Sequence, residues 1–152
     1  MSLAAALLGL ALQAAAPDTP CTAEDVRTAA VPPPIAWRPA AAQRDVPAEQ
    51  RRYVTAALGG NASVMDSADF GFVALPMSPY DAAFFAVTGD TMKLYLCRGT
   101  ACQTAYDGPK RAIHWLSTFT QNMPDLAFDN REVHVFDRGR YRRVCRVNFD
   151  TP

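Results

Sequence analysis

AAFFAVTGDTMKLYLCRGTACQ, the stretch from Ala82 to Gln103, decides how the rest of this chain is read. Gly89-Asp90 is a two-residue turn signal between two apolar runs, and it predicts a tight β-hairpin. With those residues in the turn, Thr88 faces Thr91, Val87 faces Met92, Phe85 faces Leu94 and Ala83 faces Leu96. Met92, Leu94 and Leu96 then share one face with Phe85 and Val87, and Tyr95 lies on the other. A slip of one residue would destroy that segregation, so the pattern itself specifies the register. Cys97 and Cys102 follow the second strand, in a C-x4-C loop that a disulfide can close.

The chain has 152 residues, enough for one domain and hardly for two. A hydrophobic share of 49% and a charged share of 20% describe an ordinary globular domain and argue against disorder. Fifteen basic and fifteen acidic residues cancel, so overall charge gives no reason to expect a nucleic-acid partner.

LAAALLGLAL, Leu3 to Leu12, is followed by the small residues Ala14, Ala15 and Ala16. The run is too short to span a bilayer and resembles a secretory signal, so residues 1–16 are read as a signal peptide. Pro17 disfavours cleavage directly after Ala16 and makes Ala14 or Ala15 the preferred site. No Lys or Arg precedes the run, and a buried or membrane-surface helix has the same composition. The mature chain then carries no transmembrane segment, and the expected location is periplasmic or secreted.

Four cysteines agree with export, because oxidising compartments preserve disulfides. Of the three possible connectivities, the preferred one joins Cys97 to Cys102 and Cys21 to Cys145. The first closes a short loop, worth about 2 kcal/mol of chain entropy; the second, spanning most of the chain, is worth roughly 4–5 kcal/mol. Zinc sites usually show closer pairs of C-x-x-C type, so no metal and no cofactor are expected.

In chain order, residues 17–44 form an N-terminal extended segment and 45–152 an α+β domain. A short helix is expected over Cys21–Ala30, with Thr22 as cap and Asp25 three positions on. Pro32-Pro33-Pro34 stops it. Asp45–Leu58 is the best helix, with Tyr53, Val54, Ala57 and Leu58 as its apolar stripe and Gly59-Gly60 as its stop. Phe70–Leu75 reads as a strand. Ser78-Pro79-Tyr80-Asp81 can also cap a helix through Val87; the strand is preferred because the hairpin accounts for more residues. A polar link follows Cys102. Pro109–Asn122 reads as a helix from Ala112, Trp115, Leu116, Phe119 and Met123, with a strand over Ala112–Phe119 as the alternative. Asp129-Asn130 is a turn signal.

A second hairpin, Arg131–Phe149, is expected around a three-residue loop Asp137-Arg138-Gly139, setting Val135 opposite Tyr141 and Val133 opposite Arg143. One face then carries Val133, Val135, Tyr141, Cys145, Val147 and Phe149. The other carries Glu132, His134, Arg140, Arg142, Arg146 and Asn148. The expected fold is α+β: a twisted antiparallel sheet of about four to six strands with one or two helices packed on one face, stapled by disulfides.

No G-x-S-x-G, Gly-rich phosphate loop or H-E-x-x-H motif is present. His114 and His134 lie on different elements. His134, sharing its expected face with Glu132 and Arg142, is the first candidate for acid–base work, and His114, beside Trp115, is the second. Arg131, Arg138, Arg140, Arg142, Arg143 and Arg146 fall within sixteen residues, and arginine forks bind carboxylates and phosphates. The plain alternative is a solvated sheet face. The loop from Cys97 to Cys102 resembles that of the periplasmic inhibitors of vertebrate-type lysozyme, in which such a loop plugs the target's active site. The likeness covers this loop and its leading strand, and the loop has Arg98-Gly99-Thr100-Ala101 where those inhibitors rely on a histidine.

The expected function is a small exported, non-enzymatic binding module: an inhibitor, an immunity protein or an accessory protein of the cell envelope. Its binding residues would be Arg98, Arg138, Arg140, Arg142, Arg146 and His134, and its partner an acidic protein or anionic envelope component, not nucleic acid. The alternative is a small envelope hydrolase using a His–carboxylate pair.

Overall fold

The computed structural model describes residues 19–27, 48–59, 68–73, 75 and 78–148. The signal run Leu3–Leu12, the segment 28–47 with its triple proline, and Phe149 lie outside these residues.

The elements are β1 (Thr19–Cys21), α1 (Ala23–Arg27), α2 (Ala48–Leu58), β2 (Asp69–Val73), β3 (Ala82–Thr88), β4 (Thr91–Arg98), β5 (Ala101–Pro109), β6 (Ile113–Thr120), β7 (Met123–Phe128), β8 (Glu132–Asp137) and β9 (Arg140–Val147). They build two sheets where one was expected. The first is the meander β2-β3-β4-β5; the second has the order β1-β9-β8-β7-β6, with β1 parallel to β9. The described residues are therefore mostly sheet, with two short helices and two disulfides among them.

The central hairpin has the register that its sequence specifies: Thr88↔Thr91, Val87↔Met92, Phe85↔Leu94 and Ala83↔Leu96. Gly89 takes φ +57° at the first turn position, as a tight hairpin of this hand requires. Ala83, Phe85, Val87, Met92, Leu94 and Leu96 pack against Ile113, Trp115, Met123, Leu126, Phe128, Phe136 and Tyr141 of the other sheet.

The opposite face of the hairpin is buried too. Phe84, Ala86, Tyr95 and Cys97 pack with Phe70 beneath Tyr53 and Val54 of α2. Burial on both sides is why Ala82–Val87 reads as a continuous apolar run without alternation. The helices do not share a face as expected: α2 covers the four-stranded sheet, while Val26 of α1 covers Leu116, Ala127, Val133 and Val147 of the five-stranded one. The expected cap of α1 is present, since Asp25 N donates to Thr22 Oγ1 and Thr22 N to Asp25 Oδ2. Gly59 ends α2 at φ +68°.

Two expectations fail after Cys102. The polar link is the edge strand β5, in which only Ala105 is fully buried; a bulge at that residue interrupts its alternation. The helix over Pro109–Asn122 is the strand β6. Trp115 enters the inner core and Leu116 the outer one, and the pairing with β7 is irregular between Trp115 and Phe119. Two-sided burial and a broken register scatter the apolar residues into what passes for helical spacing. Gln121-Asn122 and Asp129-Asn130 are turns with both residues at positive φ, which Asn and Asp tolerate.

The second hairpin also departs from its expected form. Its loop has two residues, Arg138 and Gly139, at φ +49° and +85°. Asp137 pairs with Arg140, Phe136 with Tyr141, Val135 with Arg142 and His134 with Arg143, and then Val133 pairs with Cys145. Val144 is the extra residue of a β-bulge. The disulfides join Cys21 to Cys145 and Cys97 to Cys102, the expected connectivity.

Candidate functional site

The bulge at Val144 decides which arginines lie together. Val135, Asp137, Arg140 and Arg142 share the outer face of the sheet. Glu132, His134, Phe136, Tyr141, Arg143 and Arg146 share the inner one. The single basic face expected over Arg140, Arg142 and Arg146 is thus divided, because one extra residue reverses the side-chain alternation beyond it.

At one end of the inner face lies a buried ion cluster. Glu132 is 6% exposed and His134 7%, which corrects their expected place on a solvated face. Glu132 Oε2 accepts from Arg111 Nη1 at 2.7 Å, and Oε1 from Arg143 Nη1 at 3.4 Å. Arg146 Nε stands 3.9 Å away. Arg111 also donates to Asp129 through Nε at 2.7 Å and lies 5.4 Å over the Phe128 ring. Burial alone would raise the Glu132 carboxyl. The hydrogen bonds from Arg111 and His134, with the charges of Arg111 and Arg143, outweigh it and hold the pKa down at about 2.

An ionised Glu132 only accepts, so His134 Nε2, at 3.2 Å, carries the proton toward it. Its Nδ1 is buried with no partner among the described residues. The ring lies 4.3 Å from that of Phe128. Burial lowers the His134 pKa, against the pull of Glu132. The nearby carboxylate Asp129 grips Arg111, not His134. The cluster is therefore a carboxylate with both oxygens engaged, holding the mostly buried Arg111 and the partly exposed Arg143, with Arg146 nearby. Sequence reasoning had Glu132 and His134 but missed Arg111, which is twenty-one positions from Glu132 and reaches it only through the sheet topology.

The other end of the sandwich holds the remaining predicted residues. Arg98 is exposed at the end of β4, beside the turn Gly99-Thr100, and Cys97 pairs with Cys102 across that turn. Gly99 takes φ +60°. Its N–H donates to Asp81 Oδ2 at 2.6 Å, while Asp81 N donates to the Cys97 carbonyl at 2.9 Å. Next to the closed turn, Gln103 Nε2 donates to Tyr80 Oη at 2.8 Å and to the Gly139 carbonyl at 3.3 Å. That contact sets the β8–β9 turn, with Arg138 and then Arg140, beside the closed turn. Arg138 and Arg140 are exposed, and with Arg98 they make no ion pair among the described residues. Arg142 Nε donates to Asp137 Oδ2 at 2.9 Å. Gln121 Nε2 reaches Asp137 Oδ1 at 3.5 Å and brings the β6–β7 turn alongside. Of the predicted residues, Arg98, Arg138, Arg140 and Arg142 come to this end; Arg146 and His134 stay with Glu132. Gln103 and Asp81 were missed, being polar residues without a motif.

Two clefts flank α2. One of about 420 Å³ lies between its first turns and the β2–β3 pair, lined by Glu49, Arg52, Tyr53, Phe72 and Asp81. The other, about 300 Å³, lies between Leu58 and Tyr95 and Lys93. His134 and Glu132 line neither. Among the described residues, no group of three His, Cys, Asp or Glu side chains is placed to hold a metal, and no helix is long and apolar enough to cross a membrane.

Comparisons with protein-family models, with curated proteins and with solved structures each return no match.

Proposed function

We propose that this chain is a small exported binding module, non-enzymatic, that grips an acidic protein of the cell envelope or its surroundings. The surface is the end of the sandwich carrying Arg98, Arg138 and Arg140. The observation that carries the reading is the Gln103–Gly139 contact, which sets the disulfide-closed turn beside the β8–β9 turn and so gathers from two sheets guanidinium groups that make no ion pair among the described residues. Short turns, a disulfide and the Asp81 brace make the surface rigid, and a rigid surface loses less freedom on binding. The two disulfides suit an oxidising compartment, in line with a secretory signal over residues 1–16.

Charge at an interface rim mainly raises the association rate and is screened by salt. The test is capture from envelope and secreted fractions by wild type and by the triple variant Arg98→Glu/Arg138→Glu/Arg140→Glu, followed by association kinetics with the captured protein. The variant should associate more slowly, wild-type association should slow as salt is raised, and the thermal midpoint should hardly change. Capture insensitive to both charge reversal and salt would refute the reading.

A further inference from the structure

Among the described residues Phe119 is the one large apolar side chain that is mostly exposed, at 56%. A single exposed phenylalanine is ordinary on a protein surface. Its position distinguishes this one. Phe119 pairs with Pro124 two residues before the Gln121-Asn122 turn, and Gln121 contacts Asp137 at the base of the Arg138-Gly139 turn. Gly139 in turn contacts Gln103, next to the closed turn that bears Arg98. The end of the sandwich is therefore a row: the exposed ring, the β8–β9 turn with Arg138 and Arg140, then Arg98. Two carboxylates lie within the row, and both are engaged: Asp137 accepts from Arg142 and Asp81 from the Gly99 N–H. Among the described residues Arg98, Arg138 and Arg140 make no ion pair, so the row presents positive charge beside an apolar ring.

We infer that this row binds an extended acidic segment of a partner protein, with carboxylates on Arg98, Arg138 and Arg140 and one aromatic or large aliphatic side chain on Phe119. The inference rests on the reading of this end as the binding surface and adds the partner's chemistry. Strands about 4.8 Å apart and sheets about 10 Å apart make the row roughly 20 Å long, which about six extended residues span. An aromatic side chain next to arginines is the composition of interface hot spots. The opposite end offers no such pairing, since Arg111, Arg143 and Arg146 converge there on Glu132.

The probes are two seven-residue peptides, each with six glutamates and one terminal residue that is Phe in one and Ala in the other. Binding to the full chain is measured at low ionic strength by titration and by amide chemical-shift mapping. The Phe peptide should bind roughly fivefold tighter or more, about 1 kcal/mol. Phe119→Ala should bring that ratio near one and leave the Ala-peptide affinity unchanged. Arg98→Glu/Arg138→Glu should weaken both peptides, with wild-type shifts at Arg98, Gly99, Phe119, Arg138 and Gly139. A ratio unchanged by Phe119→Ala, with both affinities still dependent on the arginines, would overturn the apolar anchor and leave the acidic-partner reading standing. Shifts confined to the Glu132 end, or no binding of either peptide, would overturn both.

Discussion

Gln103 and Gly139, thirty-six positions apart, are joined by a bond from Nε2 to the carbonyl at 3.3 Å, which ties the edge strand of one sheet to a turn of the other. A Cβ on Gly139 would come 3.1 Å from that Nε2, and the residue sits at φ +85°. Gly139→Ala should therefore cost on the order of 1–2 kcal/mol, from backbone strain and the lost bond together. In a Gln103→Ala background the cost should shrink to the strain alone. Urea unfolding of the two single variants and the double variant measures this, and strictly additive costs would mean that the contact does not couple the sheets.

Acid should unfold this protein in two windows. The unfolded chain takes up a histidine proton near pH 6.5, which folding hinders at His134 because its pKa is lowered. Stability should thus be greatest above that pH and decline below it. Glu132 adds a second decline, since its contribution is complete above its unfolded value of 4.5 and is lost as the pH falls toward about 2. Glu132→Gln should lower stability at neutral pH and flatten the slope between roughly pH 5 and 3. Urea midpoints across that range decide, and an unchanged slope would exclude Glu132 as the titrating group.

Phe85 is fully buried between the sheets, whereas Lys93 pairs with Asp107 at 3.2 Å on the surface. Phe85→Ala should cost about 3–5 kcal/mol. Lys93→Ala should cost less than about 1 kcal/mol. Similar small losses at both sites, read from denaturant midpoints, would contradict the packing of the central hairpin.

Removing the disulfides should separate them by loop length. Replacing Cys21 and Cys145 with Ser, across a sequence separation of 124, should cost about 4–5 kcal/mol. Replacing Cys97 and Cys102, separated by 5, should cost about 2 kcal/mol. Peptide mapping of unreduced protein should recover both pairs. Equal costs would place the stabilisation in local packing and not in chain entropy.

The sequence by itself determined what local rules govern. Gly89-Asp90 and the apolar pattern around it specified the register of β3 and β4, because a one-residue slip would expose their core face. The Thr22–Asp25 cap and the stripe of Tyr53 and Val54 were legible because they depend on neighbours three and four residues away. The cysteine pairing followed from the preference for one local and one distant bridge.

Tertiary structure decided the number of sheets and the location of the site. Alternation is visible in a sequence only where one face of a strand is wet. β3, β6 and β7 are buried on both faces in whole or in part, and the edge strand β5 is at least partly exposed except at Ala105. One unpaired residue, Val144, then reversed the facing of everything after it. That sent Arg146 to the buried Glu132 and left Arg140 outside. A bulge arises from pairing with a partner strand and carries no signature of its own, so the division of the arginines, and with it the candidate surface, exists only in the folded sheets.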